Sequence, residues 1–188
     1  MKKIVLAAAT TVALGLATPM ALAQGMPFGA KQDVADAADV WAAMKAMNLA
    51  GDHQIHTLPY EGTDPHGKML ETFYTHATIN GHTGALIVKR NYGPEGVDAD
   101  TVLGPMGGKH LGAVTVMFKR EKGYDSDNQD WFWAKFLPDG SLDKNAKGMQ
   151  LAGKVAKGAD VGCIACHSGA PGEDYLFTTD APVGAAMN

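Results

Sequence analysis

Between residues 69 and 137 the chain falls into short apolar runs of strand-like periodicity separated by polar connections, and that pattern dictates the predicted fold. Met69 to His76, Ala85 to Arg90, Leu111 to Lys119 and Trp131 to Leu137 are short runs rich in β-branched and aromatic residues, each bounded by Gly, Pro, Asn or Asp. They read as strands, and the connections are mostly too short for crossover helices, so the sheet is expected to be antiparallel. Trp131 and Trp133 alternate with Phe132 and Phe136, which makes the last strand apolar on both faces and predicts a central position for it. Pro138-Asp139-Gly140 supplies the turn that follows. Upstream the period lengthens. From Asp33 to Leu49, Val34, Ala37, Trp41 and Met44 share one face of a predicted helix, with Asp33 as its cap and Gly51 as its stop. Residues 52–68, with Pro59, Gly62, Pro65 and Gly67, read as loop. The expected class is α+β, a mainly antiparallel sheet with a few helices. A four-helix bundle is the rival, and the two-residue period speaks against it.

The N-terminus changes the compartment. Met1-Lys2-Lys3, the apolar run Ile4 to Leu16, and Ala21-Leu22-Ala23 have the charged start, short apolar middle and small-residue cleavage site of an export signal. The expected boundaries are a cleaved leader, 1–23, and one domain, 24–188, which is long enough to bury a substantial core unaided. Loss of Lys2 and Lys3 with the leader takes the formal charge from −4 to −6. Such a balance argues against nucleic acid and anionic membrane as partners, and stable membrane insertion is not expected. A small ligand or a soluble redox partner fits better.

Near the other end lies Cys163-Ile164-Ala165-Cys166-His167, and the chain has no further cysteine. Two thiols one helical turn apart can each add to a haem vinyl group, and the next imidazole can then meet the iron. The reading is one covalently attached haem c, with Cys163 and Cys166 as thioether anchors and His167 as axial ligand. Two other readings remain: a disulfide or redox-active dithiol, and a zinc site, for which two Cys and one His are too few.

Position within the chain bears on the iron's other side. Small electron-transfer cytochromes carry the motif early and an axial Met later, whereas here 21 residues follow His167 and the one Met among them is Met187. Met106, Met117 and Met149 lie upstream, but core filling is the ordinary use of Met. An open sixth position is therefore expected, which favours ligand chemistry. The alternative is a six-coordinate electron carrier. If a second histidine closes the iron, His66 leads His53, His56, His76, His82 and His110, because its turn belongs to the pattern described next.

Lys122-Gly123-Tyr124, Asp130-Trp131-Phe132-Trp133-Ala134-Lys135-Phe136, Pro138-Asp139-Gly140, Gly162 to His167 and Asp174-Tyr175-Leu176-Phe177-Thr178 form an ordered set. With Pro65-His66-Gly67 and Ile87-Val88-Lys89-Arg90-Asn91-Tyr92, the set is similar to the cytochrome P-460 family, over roughly Pro65 to Asp180. That resemblance implies a mostly antiparallel β fold, usually a homodimer, holding one five-coordinate haem c in the periplasm. It implies one of two behaviours: oxidation of hydroxylamine or nitric oxide by a haem cross-linked to lysine, or, in the cytochromes c′-beta, binding of nitric oxide under an apolar cap without the cross-link.

Lys89 matches the cross-linking lysine, at the end of the strand Ala85 to Val88; its bland alternative is a snorkelling surface lysine. If Ala85 and Ile87 face the haem, alternation brings Lys89 to the same side. The enzymes are expected to hold a carboxylate on the strand Leu111 to Phe118, and this chain has none there. That departure tilts the expectation toward binding of a nitrogen ligand. Glu71 could substitute, although a solvated strand glutamate is the commoner case. Tyr74, Phe73 and Phe118 could cap the pocket, with core packing as the default.

Overall fold

The computed structural model describes residues 27–171 and 174–177. The export signal expected over 1–23 and Met187 lie outside the described residues. Six strands form one sheet in chain order: β1 Tyr60–Glu61, β2 Met69–Ile79, β3 His82–Tyr92, β4 Leu111–Lys119, β5 Trp131–Phe136 and β6 Ala152–Gly153. Every neighbouring pair is antiparallel, including β3–β4 and β5–β6, whose connections are long enough to have allowed a crossover. The helices are α1 Lys31–Ala46, α2 Ala99–Leu103 and α3 Cys163–His167. No helix among the described residues is long and apolar enough to cross a membrane.

The strands β2 and β3 are longer than their sequence runs. They continue to an Asn80-Gly81 turn in which both residues have positive φ, 51° and 80°, the conformation that two-residue hairpin loops demand. The dipeptide carries that signal in the sequence, but the polar residues around it hid the strand ends.

Helix α1 begins two residues before the predicted start. Asp33 does not cap it; from inside the first turn its carboxylate accepts the Ala30 amide at 3.0 Å, satisfying a donor that the helix leaves over. Asn48, at φ 56°, ends the helix before Gly51 is reached. The buried face is Asp36, Ala37, Val40 and Met44, so Val40 replaces Val34 and Trp41 at the centre of the contact. Gly153 lets this helix come close, since a Cβ there would stand 2.4 Å from Asp33 Cγ and the residue holds φ 97°.

Each face of the sheet buries a different layer. Val88, Val116, Phe132, Ala134 and Phe136 pack with Ala37, Val40 and Met44 of α1. Ile87, Met117, Trp131 and Trp133 face the other way, against Val155, Ile164 and Leu176 of the C-terminal segment. The predicted alternation of Trp and Phe along β5 is thus observed. Its predicted cause is not, because β5 lies next to the end of the strand order. It is apolar on both sides because both sheet faces are covered.

Phe73 and Phe118 belong to the α1 layer, which removes them as caps of a pocket on the opposite face. Glu71 is also corrected: it is neither solvated nor near that pocket. Fully buried, it accepts from Thr57 N at 2.8 Å, His56 Nδ1 at 3.1 Å, Arg90 Nη1 at 3.2 Å and the Tyr92 hydroxyl. Burial and the glutamate together push the Tyr92 phenol well above its ordinary range. Arg90, equally buried, donates to Leu49 O at 2.7 Å and Ile55 O at 2.7 Å, clipping the loop after α1 to the sheet.

Candidate functional site

Register builds the pocket. Tyr74, Ile87, Met117 and Trp133 are successive cross-strand partners on β2, β3, β4 and β5, so all four side chains stand in one row on the face away from α1. All four line a cavity of about 510 Å³, including the part open to solvent. Two residues along the strands lies a second row containing the pair Lys89 and Thr115, which lines the same cavity. Lys89 therefore faces the side expected from Ala85 and Ile87, although it sits inside β3 rather than at a strand end. Thr115 occupies the β4 position nearest to Lys89, and no Asp or Glu is among the described residues lining the pocket. Asn91 braces this row, donating from Nδ2 to Lys89 O and Ala113 O, both at 3.2 Å.

The C-terminal segment closes the pocket from the opposite side. Helix α3 begins at Cys163, and both Cys163 and His167 line the cavity, with Leu176 and Phe177 completing its apolar wall. Cys166 is exposed and does not line it. One helical turn nevertheless puts the two thiols on neighbouring positions of the same helix surface. His167 is held on three sides: Trp133 lies 4.8 Å away between ring centroids, Phe177 5.4 Å, and Nδ1–H donates to Tyr175 O at 2.8 Å. A carbonyl only accepts, so Nδ1 carries the proton and the lone pair belongs to Nε2, the arrangement a metal-binding imidazole requires.

Asp174 fixes the residue that makes this bond. Its carbonyl accepts Trp131 Nε1 at 3.0 Å, and its carboxylate pairs with Lys119 Nζ at 2.5 Å. Tyr175 follows directly, at φ 62°, with its hydroxyl donating to Asp127 O at 3.3 Å. The ends of β4 and β5 thereby set the orientation of His167.

His66 also lines the cavity. Its turn folds back through His66 N to Thr63 O at 3.0 Å and Gly62 N to Lys68 O at 2.8 Å, while Lys68 N donates to Tyr92 O at the end of β3. Gly67 is required there: it holds φ 116°, and a Cβ would stand 2.8 Å from Tyr92 O. The His66 ring lies 6.1 Å from the His167 ring, with planes at 89°, and its Nδ1 is 3.5 Å from Thr115 Oγ1. His82, by contrast, reaches Lys119 O on another part of the sheet.

These residues suit a haem. The wall is apolar, one imidazole is oriented by its second nitrogen, and the buried indole N–H of Trp133 has no hydrogen-bond partner among the described residues, a donor left over for a bound group. The dithiol reading fares worse. The two cysteines are not joined, and burial pushes the Cys163 thiol up to about 11, the reverse of the depression that activates a redox cysteine. In haem-free chain, Cys166 is therefore expected to alkylate first at pH 8, where only about a thousandth of Cys163 is thiolate. Its rate should climb as pH rises toward its pKa. Mass-resolved iodoacetamide labelling checks this, and faster modification of Cys163 would contradict it.

Sequence reading located Lys89, Cys163, Cys166 and His167, and the structure gathers three of them around one cavity. It passed over Thr115 and did not give Trp133, Leu176 and Phe177 a role in the wall, although it had considered Ile87 as facing the haem. Alternation from Ile87 and Lys89 was the available signal, but it needed the strand register to select partners on β4 and β5. No curated protein and no solved structure gives a significant match to the chain. The family model described as Cytochrome P460 matches residues 68–178, which spans the four pocket-forming strands and Cys163 to His167, and the chain belongs to that family.

Proposed function

We propose that the chain is an exported protein of the periplasm that carries one haem c, bound through Cys163 and Cys166 with His167 as axial ligand, and uses it to bind a small nitrogen species. Family membership implies haem binding; the covalent attachment, the axial role and the ligand are this proposal. The observation that carries it is the His167 Nδ1–H bond to Tyr175 O inside an apolar pocket, which leaves Nε2 as the basic nitrogen. When bound, the haem supplies an iron centre able to take a diatomic or amine ligand and to exchange electrons.

The chain's own residues would orient the imidazole, exclude bulk water through Trp133, Leu176 and Phe177, and tune polarity at Thr115. Nitric oxide suits this environment better than hydroxylamine, because oxidising the latter releases protons and no carboxylate is among the described lining residues. A bond from Lys89 to the haem edge would move the protein toward the oxidising branch; the lysine lines the right cavity for it. A soluble redox partner and a second copy of the chain belong to the same proposal.

The test is titration of the reduced holoprotein, matured in a strain competent for cytochrome c assembly, with nitric oxide. A saturable change in the Soret region at one ligand per chain is expected. A spectrum indifferent to nitric oxide would refute ligand binding. Intact mass on the same sample separates a lysine-bonded haem from one held by thioethers alone.

A further inference from the structure

We propose that the turn Asp125 to Trp131 tunes the iron through His167: Asp125 and Trp131 are positioning residues that hold the Tyr175 carbonyl against the axial imidazole and so set the strength of the iron–nitrogen bond. The inference rests on the haem reading above and deepens it, by naming residues that govern an axial bond they do not touch.

Both limbs of the chain that flank α3 are fastened to this one turn. Before the helix, Lys157 Nζ pairs with the Asp125 carboxylate and reaches Asp127 Oδ2 at 3.4 Å. Asp125 is a firm post for it. Its side chain is fully buried, its carboxylate also accepts Asn128 Nδ2 at 2.9 Å, and its amide donates to Asp130 Oδ1 at 2.7 Å. The fastening is passed on to the helix, because Gly162, the residue before α3, lies against Ala156: a Cβ on Gly162 would stand 2.3 Å from Ala156 Cβ. After the helix, Trp131 Nε1–H donates to Asp174 O and the Tyr175 hydroxyl donates to Asp127 O. The loop 157–175, which carries Cys163 to His167, is thus closed at both ends on the same short stretch, and closure removes most of the freedom its carbonyls would otherwise have.

The carbonyl at stake is one the chain does not place by itself. Tyr175 holds φ 62°, a left-handed conformation that a tyrosine keeps only where its surroundings impose it. Trp131 grips the preceding carbonyl and Asp127 the tyrosine's own hydroxyl. The fully buried Trp131 makes the stronger of these bonds, whereas the Lys119–Asp174 pair is partly exposed on both sides and adds little. Packing alone does not account for an indole at this position, since a phenyl ring would also fill an apolar wall; the N–H is what reaches the residue next to Tyr175. The 2.8 Å bond from His167 Nδ1–H to Tyr175 O makes Nε2 the more basic donor to a metal. A more basic axial nitrogen favours ferric over ferrous iron, and slackening the turn reverses that bias.

Resonance Raman spectra and redox titration of the holoprotein test this, with the parent compared against Trp131→Phe, Tyr175→Phe and Lys157→Met. In all three the iron–imidazole stretching band of the reduced protein is expected to move to lower frequency and the reduction potential to rise, most in Trp131→Phe. Tyr175→Phe removes only an exposed hydroxyl, so it reads the effect even if Trp131→Phe does not fold. Arg90→Ala is the control for stability: it weakens the fold from the other face of the sheet and should leave band and potential where they are. Band and potential unchanged in the three variants, or shifted as far in Arg90→Ala, would overturn the role of the turn and leave the haem reading standing. Matured parent protein without haem would overturn both.

Discussion

Replacing both Cys163 and Cys166 with Ala is expected to abolish the covalent attachment proposed above: on a denaturing gel the haem stain expected of the parent chain should disappear, and acid–acetone should extract the colour that remains. The expected change is all or none, because a thioether survives denaturation whereas an axial bond and apolar packing do not. Both thiols are needed for two bonds, and they lie one turn apart on α3, the first in the pocket wall and the second at the surface. The same experiment reports on Lys89. Haem that stays with the double variant through denaturation and is lost on adding Lys89→Arg would show a lysine bond at work. Haem extractable from the parent chain itself would end the proposal of covalent attachment.

Arg90→Ala is expected to lower the unfolding free energy by about 3–5 kcal/mol, the cost of breaking a buried pair by removing one partner. Glu71 would lose the guanidinium beside it in a fully buried position, and Leu49 O and Ile55 O would lose their donor. The double variant Glu71→Gln, Arg90→Met should recover much of the loss, because neutral groups need no counter-charge. Denaturant unfolding followed by tryptophan fluorescence measures both, and a midpoint for Arg90→Ala equal to that of the parent would contradict the structure. Haem-pocket spectra should change little in either variant, since Arg90 points to the α1 face. That independence separates the scaffold from the site.

Glu71 and Lys89 show how far a one-dimensional pattern reaches. Both sit on strands and both were candidates for a pocket. Alternation placed Lys89 on the same side as Ile87, and the cavity lies on that side. The same rule could not place Glu71, because the sequence does not say which residue of β3 stands opposite it. The register pairs Glu71 with Arg90, and one position of offset separates a pocket carboxylate from a buried structural one. The helix face misjudged at Val34 has a similar origin. The predicted stripe was drawn through Trp41, yet Trp41 leans on Phe136 at 4.9 Å from the margin of the contact, which centres on Val40 and Met44.

The amino-acid order alone determined what local chemistry determines: the four longer strands, whose alternating faces are a property of extended backbone; the turn residues; and a Cys-x-x-Cys-His motif whose spacing is one turn of helix, whereas the two-residue strands Tyr60–Glu61, in a segment read as loop, and Ala152–Gly153 form only by pairing with their neighbours. Its resemblance to a family was likewise legible without coordinates. Only the tertiary structure decided which distant residues meet. His66 and His167 are separated by a hundred positions, and their rings come within 6.1 Å because β3 anchors the turn of one and the ends of β4 and β5 anchor the carbonyl that orients the other. Such proximity depends on strand register and on which layer covers each sheet face, and both are set by contacts between segments, to which no local pattern is sensitive.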